Sequence, residues 1–556
     1  MPGLSDWGYG GASGKAPMII ERLIYMRVLV SDKLSEAGLE ILKKGKGIEL
    51  DNQPGLGKDI EKLKKVIKTA DAIVIRSGTT LTADIIACAD NLKVIGRAGI
   101  GVDNVDVPAA SKKGIIVMNT PGGNTVTTAE HAIAMMCALT RDIPQATASI
   151  KSGKWEKNKF MGSELFQKKL GVIGCGNIGK IVADRALGLK MKVITFDPFL
   201  TDEMAAKLGV QKVELDELYK NADYITIHVP KIDKTANMIN AAAFSKMKKG
   251  VYLINCARGG IVNEKDLAAA IEAGIVAGAA LDVFSIEPVD PANPLLKMDQ
   301  VICTPHLGAA TEEAQENVAL DVARQIVNFL VDGTIENAVN VPSVSGEILK
   351  MLHPYISLGE KVGKLQGQLA VESPTEVVIE YSGDINKLPT ASLTIAILRG
   401  ILEPMLADET INAVNAPFIA RERGIKVTES KSPESHNFNS LVTVTLKFKS
   451  SEKIVAGTLF GKTNPRIVRV DDYYLEAVPE GKILVIKNQD KPGVVGSIGT
   501  LLAKNAINIS RLQLGLSSKH GKEATAFYNV EGNITDAVVA ELKKIPGILS
   551  VQLVEL

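Results

Sequence analysis

The run Leu170-Gly171-Val172-Ile173 passes directly into Gly174-Cys175-Gly176-Asn177-Ile178-Gly179-Lys180, so a strand-like apolar stretch ends in three glycines spaced G-x-G-x-x-G. This stretch restricts the fold because each glycine has its own geometric task. Gly174 permits a tight strand-to-helix turn, Gly176 lets the backbone approach a pyrophosphate, and Gly179 lets the next helix pack closely on its strand. The N–H groups at that helix start, from Asn177 and Ile178 onward, then face phosphate charge together with the helix dipole. The following strand-like run, 192–197, ends in Asp197. A carboxylate about 20 residues beyond such a fingerprint accepts hydrogen bonds from the adenosine ribose hydroxyls. Asp197-Pro198-Phe199-Leu200 contains no arginine, so a 2′-phosphate would meet uncompensated negative charge. The pattern predicts a Rossmann-type domain that takes NAD rather than NADP.

A chain of 556 residues forms several domains, each with its own core. Its 64 Lys+Arg balance 63 Asp+Glu, which argues against a nucleic-acid or anionic-membrane partner. Five cysteines supply neither a disulfide framework nor C-x-x-C metal spacing. No metal is expected, and a reduced, cytoplasmic setting fits. No apolar run reaches the roughly 18 residues of a spanning helix. Residues 1–25 are Gly/Ser-rich at the start and lack hydrophobic periodicity. They read as a leader or disordered extension, with the fold beginning near Met26.

From Met26, short β-rich runs (26–31, 72–75, 94–96, 115–118) alternate with helical stretches (36–44, 58–68, 83–88, 105–113), predicting an α/β unit with a largely parallel sheet. It lacks the glycine fingerprint. Its strand ends carry Arg76-Ser77-Gly78 and Gly96-Arg97-Ala98-Gly99 instead. Ligands of open α/β sheets bind beyond the carboxyl ends of strands, so two guanidiniums and a hydroxyl there suit a phosphate or carboxylate. Taken alone, each arginine equally suits a strand cap facing water. Beyond Asn124 a single helix is expected over 125–150, with His131 in a structural role.

After the fingerprint, three strand-like runs end in candidate chemistry: Arg258 in a Gly-Gly turn, Glu287 before Pro288, and His306 in Thr304-Pro305-His306-Leu307-Gly308. A histidine titrates near neutrality and can take the proton of a hydroxyl while hydride leaves the same carbon. A carboxylate orients that ring, and an arginine fork holds a substrate carboxylate beside it. Each of the three alone is equally a surface charge or a cap.

Together, the fingerprint, Asn255-Cys-Ala-Arg258-Gly-Gly-Ile-Val262, Asp282-Val-Phe-Ser-Ile-Glu287-Pro288 and Thr304-Pro-His306-Leu-Gly-Ala-Ala-Thr311 resemble the D-isomer-specific 2-hydroxyacid dehydrogenases. The resemblance runs from about Met26 to the C-terminus and is strongest to the long-form branch acting on 3-phospho-D-glycerate. It implies NAD-dependent oxidation of that substrate, the first step of phosphorylated L-serine biosynthesis. His306 would be the acid/base, Glu287 its partner, and Arg258 the carboxylate anchor. Asp282 would join Gly174, Gly176, Asn177, Ile178, Gly179 and Asp197 around the cofactor. Arg76, Ser77, Arg97, Gly99 and Asn124 would bind substrate. The implied architecture is a Rossmann-type NAD domain (125–306) inserted in a flavodoxin-like substrate domain (26–124 and 307–341). An α+β allosteric substrate-binding domain (342–479) and a C-terminal βαββαβ ACT domain (480–556) would follow. Gly122-Gly123 stands where many relatives carry a polar pair.

In the C-terminal third, Asn412-Ala-Val-Asn-Ala416 and Gly457-Thr-Leu-Phe-Gly-Lys462 are similar to the allosteric domain, whose basic residues (Arg421, Arg423, Lys462, Arg466) suit an anionic effector or a solvated face. The order β, α, β, β, α, β over 483–554 is ferredoxin-like. With Asn488-Gln-Asp490 and Ile507-Asn508-Ile509 it resembles an ACT domain. That implies a homodimer or homotetramer with L-serine held by Asn488, Asp490 and Asn508, although serine-sensitive relatives often carry histidine in place of Asn488. Rival readings are a dehydrogenase of another 2-hydroxyacid (glyoxylate, hydroxypyruvate, 2-oxoglutarate, lactate) and a non-catalytic NAD-sensing corepressor.

Overall fold

The computed structural model describes residues 25–342, 346–407, 410–434, 437–517 and 522–556. The leader expected at 1–25 therefore falls, except for Tyr25, outside the described residues.

The first four apolar runs become β1 (Met26–Val30), β3 (Ala72–Ile75), β4 (Val94–Arg97) and β5 (Ile116–Asn119), and a mixed edge strand absent from the sequence reading, β2 (Ile48–Asn52), joins them. They form one parallel sheet in the order β2-β1-β3-β4-β5. Alternate residues enter different cores: Val28, Val30 and Val74 on one face, Leu29, Ile73 and Ile75 on the other. Helices cover both faces, which is why these strands read as unbroken apolar runs. The helix Glu312–Asp332 returns to this unit and buries Val318, Val322 and Ile326 in its core. Asn340 pins the return, accepting from the Val117 N–H and donating to Ile115 O, each at 2.9 Å.

The second sheet is built from β6 (Lys169–Ile173), β7 (Lys192–Phe196), β8 (Gln211–Lys212), β9 (Tyr224–Ile227), β10 (Val251–Asn255), β11 (Val276–Leu281) and β12 (Val301–Cys303). Its order is β12-β11-β10-β9-β6-β7-β8, parallel throughout. This is the doubly wound Rossmann arrangement, whose direction reverses between β6 and β9. The helix Thr125–Thr140 packs into this core through Ala129, Ala132 and Met136.

One expectation is corrected here. Residues 125–150 are not a single helix, because Asp142 takes a left-handed φ of 51° and a second helix, Ile143–Lys151, begins with Pro144 in its first turn. A proline is favourable at a helix start and breaks a helix interior.

The third sheet holds β13 (Glu376–Gly383), β14 (Lys426–Ser432), β15 (Ser440–Lys447), β16 (Glu452–Phe460), β17 (Asn464–Val470) and β18 (Tyr473–Ala477). Their order is β14-β13-β15-β16-β17-β18, antiparallel except for β13 with β14. Helices Gly346–Leu369 and Ala391–Leu406 pack closely beside it, and a Cβ at Gly400 would lie 2.5 Å from Glu360 O. Asn412 Nδ2 donates to Gly114 O at 3.0 Å, joining this unit to the first sheet. The last sheet, β19 (Lys482–Gln489), β20 (Asn508–Leu516), β21 (Glu523–Glu531) and β22 (Ile548–Glu555), is antiparallel in the order β20-β21-β19-β22. With helices Val494–Lys504 and Asp536–Lys543 it forms the βαββαβ ACT fold. Among the described residues, no helix is long and apolar enough to cross a membrane, and no group of three or more His, Cys, Asp or Glu could hold a metal.

Candidate active site

The parallel register of the first sheet aligns Ile75 with Arg97, so β3 and β4 deliver their following loops to one edge. Asp32 Oδ2 accepts from the N–H of Arg76 (2.6 Å) and of Thr79 (3.1 Å). Asn104 Nδ2 donates to the carbonyls of the same two residues, each at 2.6 Å. These two side chains fix the turn that presents Arg76 and Ser77. Arg97 folds over Gly99, whose φ is 142° and where any Cβ would overlap the Arg97 guanidinium. Burial lowers the Arg97 pKa to about 10, helped by the positive charge of Arg258 and Arg76 and opposed by Asp103 and Asp32. Burial also lowers the Arg76 pKa, and Asp32 opposes that shift. The Arg97 Nε is buried without a hydrogen-bond partner, an arrangement that favours an incoming anion.

At the carboxyl ends of β11 and β12, His306 Nδ1 lies 2.8 Å from Glu287 Oε2, while Glu287 Oε1 accepts from Phe284 N–H at 3.0 Å. Both side chains remain partly exposed, at 48% and 38%, so the pair is reachable from the cleft. The backbone of His306 is left-handed, with φ 56°. Asp282 braces the surrounding turn: its backbone O accepts from His306 N–H (2.9 Å), and its carboxylate from Leu307 N–H (2.7 Å), Gly308 N–H (2.9 Å) and Thr304 Oγ1 (2.6 Å). His131 Nε2 completes this set, 3.2 Å from Asp282 Oδ1. Burial alone would raise the Asp282 pKa, but the hydrogen bonds from His131, Thr304 and Leu307 outweigh it and hold the carboxyl below its ordinary value.

A cleft of about 770 Å³ joins the two ends, with Arg76, Ser77, Arg97, Gly99 and Asn124 on one side and Asp282, Glu287 and His306 on the other. The buried Asn124 Oδ1 is unpartnered. Gly123 leaves no room for a side chain, since a Cβ there would lie 2.6 Å from Val318 Cγ1. Arg258 is not in the lining. It crosses to the first sheet, where its Nε–H donates to Asp103 at 2.8 Å.

The fingerprint lies apart from this cleft, at the reversal point of the second sheet. Gly174 has φ 90°, and a Cβ there would stand 2.6 Å from His228 O. A Cβ on Gly179 would overlap Gly174 O, whereas one on Gly176 would meet nothing within 4 Å. No side chain caps the helix Asn177–Gly188 that starts here. Asp197, half-buried, accepts from Cys175 N–H and Phe199 N–H, each at 2.8 Å. Open space at the middle glycine, an uncapped helix start and a carboxylate beyond the next strand fit a bound dinucleotide. The Asp282 carboxylate, by contrast, is already surrounded by donors from its own chain.

The same organisation is found among known proteins. The model of the D-isomer specific 2-hydroxyacid dehydrogenase NAD binding domain matches residues 133–308, and that of the family's catalytic domain matches 28–214. The D-3-phosphoglycerate dehydrogenase intervening domain matches 351–471, and the ACT domain 482–547. D-3-phosphoglycerate dehydrogenase of Archaeoglobus fulgidus is 43% identical over 96% of this chain and 100% of its own. The chain belongs to the D-3-phosphoglycerate dehydrogenase family. The Bacillus subtilis member is 41% identical over 95% of this chain and 99% of its own. Among solved structures, the NAD-dependent formate dehydrogenase of Staphylococcus aureus in complex with NAD superposes with a TM-score of 0.52. It is 30% identical over 58% of this chain and all of that one. The cofactor of this family member is NAD.

In the ACT domain the three effector candidates are not gathered within one chain. Asn488 is buried and pairs with Ala524, whereas Asn508 pairs with Glu531 at the other end of β21. At the usual rise per residue this separates them by roughly 24 Å. Asp490 is exposed beside Asn488. A ligand touching both asparagines would need a second copy. Of the basic residues of the intervening domain, Arg421 and Arg466 lie over the rings of Phe418 and Phe460, at 5.7 and 5.4 Å. Sequence reasoning missed Asp32, Asp103 and Asn104. Their sole signal was position, just beyond a strand end or between Gly101 and Val105.

Proposed function

We propose that this cleft oxidises C2 of 3-phospho-D-glycerate to 3-phosphohydroxypyruvate, the first step of the phosphorylated route to L-serine. The observation that carries the reading is a single cleft joining the His306–Glu287 pair to the guanidiniums of Arg76 and Arg97. Bound NAD supplies the hydride acceptor. With Nδ1–H donated to Glu287, the His306 Nε2 lone pair takes the C2 hydroxyl proton, and Glu287 stabilises the imidazolium. The family pattern gives Arg258, which stands outside the cleft lining, the C1 carboxylate, while Arg76, Ser77 and Arg97 hold the phosphate. Asp282 keeps the His306 turn in its left-handed form, with His131 behind it. We further propose a cytoplasmic homodimer or homotetramer with L-serine bound between ACT domains of neighbouring copies.

Steady-state NAD reduction with 3-phosphoglycerate against unphosphorylated 2-hydroxyacids, with and without L-serine, tests this. The phosphorylated acid should be preferred by about a hundredfold in kcat/KM, and Arg97→Met should remove most of that preference. No turnover of the phosphorylated acid, or no preference for it, would overturn the reading.

A further inference from the structure

We propose that Asp103 is a positioning residue for this reaction, holding the Arg258 guanidinium from its side and leaving the end-on edge for the substrate carboxylate. The inference rests on the reading of Arg258 as the carboxylate anchor. Asp103 follows β4 in the first α/β unit, and Arg258 follows β10 in the second, so their contact crosses from one sheet's strand ends to the other's. Arg258 Nε–H donates to Asp103 Oδ2 at 2.8 Å and Nη1 donates to Ala257 O at 2.7 Å. Nη2 lies over Gly101, where any Cβ would overlap it. Nη1 keeps one hydrogen and Nη2 keeps two, the donors that remain for a substrate carboxylate.

The Asp103 loop is itself fixed. Asn119 Nδ2 donates to Ile100 O at 2.6 Å, Thr120 N–H to Gly99 O at 3.0 Å, and Asn104 is pinned by its two bonds to the Arg76 turn. An acid beside an anion-binding cleft is otherwise hard to explain, because its bare charge repels the substrate. Two terms reverse that balance. A free arginine side chain loses rotamer entropy when it is ordered by substrate, and a side already held has lost part of it beforehand. Arg97 also repels Arg258, and Asp103 offsets that repulsion where the two guanidiniums meet.

Repulsion of the substrate by Asp103 and positioning of Arg258 predict opposite signs, so substitution decides between them. In the full-length enzyme, Asp103→Ala should raise KM roughly tenfold, by the same factor for 3-phosphoglycerate and for any unphosphorylated 2-hydroxyacid that the wild type turns over. Asp103→Asn keeps an acceptor for Nε–H and should fall between the two. NAD affinity, titrated by fluorescence without the acid, should be unchanged in both. A KM that falls or stays constant would make Asp103 only an unfavourable charge and overturn the proposal. A rise confined to the phosphorylated acid would also overturn it, since Asp103 would then act on Arg76 and Arg97. If Asp103→Ala weakens NAD binding, Asp103→Asn decides by the same criteria. Should the wild type accept only unphosphorylated acids, the substrate reading fails while this comparison still runs on those acids.

Discussion

The first and second sheets share a plan, parallel strands under helices with their carboxyl ends turned toward a ligand, yet they meet that ligand with different atoms. The first presents side chains: Arg76, Ser77 and Arg97 converge where β3 and β4 end. The second presents bare backbone at its reversal point, with the open approach at Gly176 and the uncapped helix beginning at Asn177. Topology decides which edge binds, and the loops decide what class of ligand it takes. A small, highly charged acid offers few atoms, so convergent guanidiniums are needed to hold it. A dinucleotide is long, and main-chain N–H groups meet its pyrophosphate without any charged side chain. At β11 and β12 the second sheet changes manner and contributes Glu287 and His306, the groups that move protons.

The sharpest break in this division of labour would come at His306. His306→Asn should lower kcat by about a hundredfold to ten-thousandfold, the usual contribution of a positioned acid/base. Because the fingerprint lies apart from the cleft, NAD titration should return the wild-type affinity. A parallel loss of NAD binding would mean that chemistry and cofactor recognition are not separated as described.

A smaller effect should separate two glycines three residues apart. At Gly176 a side chain meets open space, so Gly176→Val should leave thermal stability near wild type while weakening NAD. Gly179 lies against Gly174 O with no space for a Cβ, so Gly179→Val should destabilise the domain by about 1–3 kcal/mol. Thermal denaturation of the two variants, beside NAD titration, checks the contrast. Equal destabilisation by both would show that Gly176 serves packing rather than approach.

These glycines also show what the sequence made legible. Local geometry was readable because a turn, a close approach and a helix start each restrict a residue on the spot, and the helix Glu36–Lys44 is found at the bounds its sequence pattern predicts. The strand Lys426–Ser432 was not readable: it is a polar, largely exposed edge whose only pattern is its pairing with β13. Long-range contacts were equally silent. Asp103 meets Arg258 across 155 positions, and Asp32 meets Arg76 across 44. No local spacing reports such a pairing. The opposite placement of Asn488 and Asn508 likewise follows from strand register, which a βαββαβ order does not specify.

A last expected effect lies at the reversal point itself, and it sharpens the claim that backbone alone does the binding there. His228 follows β9, and its carbonyl abuts Gly174. Its Nε2 lies 2.9 Å from Thr226 Oγ1, while Nδ1 is buried without a partner. Burial lowers its pKa to about 4 from the ordinary 6.5, so the ring is neutral in the folded domain. Above pH 6.5 both folded and unfolded chains carry it neutral, and stability is complete. As pH falls from 6.5 toward 4 the unfolded chain takes up a proton that the folded one refuses, and stability is lost across that window. The His228→Gln variant has no such group, whereas carboxylates elsewhere titrate alike in both proteins. The difference in melting temperature between wild type and variant should therefore move by a few degrees, against the wild type, as pH is lowered from 7 to 4. Identical acid responses would mean that His228 accepts its proton in place, adding a cation beside the fingerprint and ending the contrast between charged side chains at one sheet and bare backbone at the other.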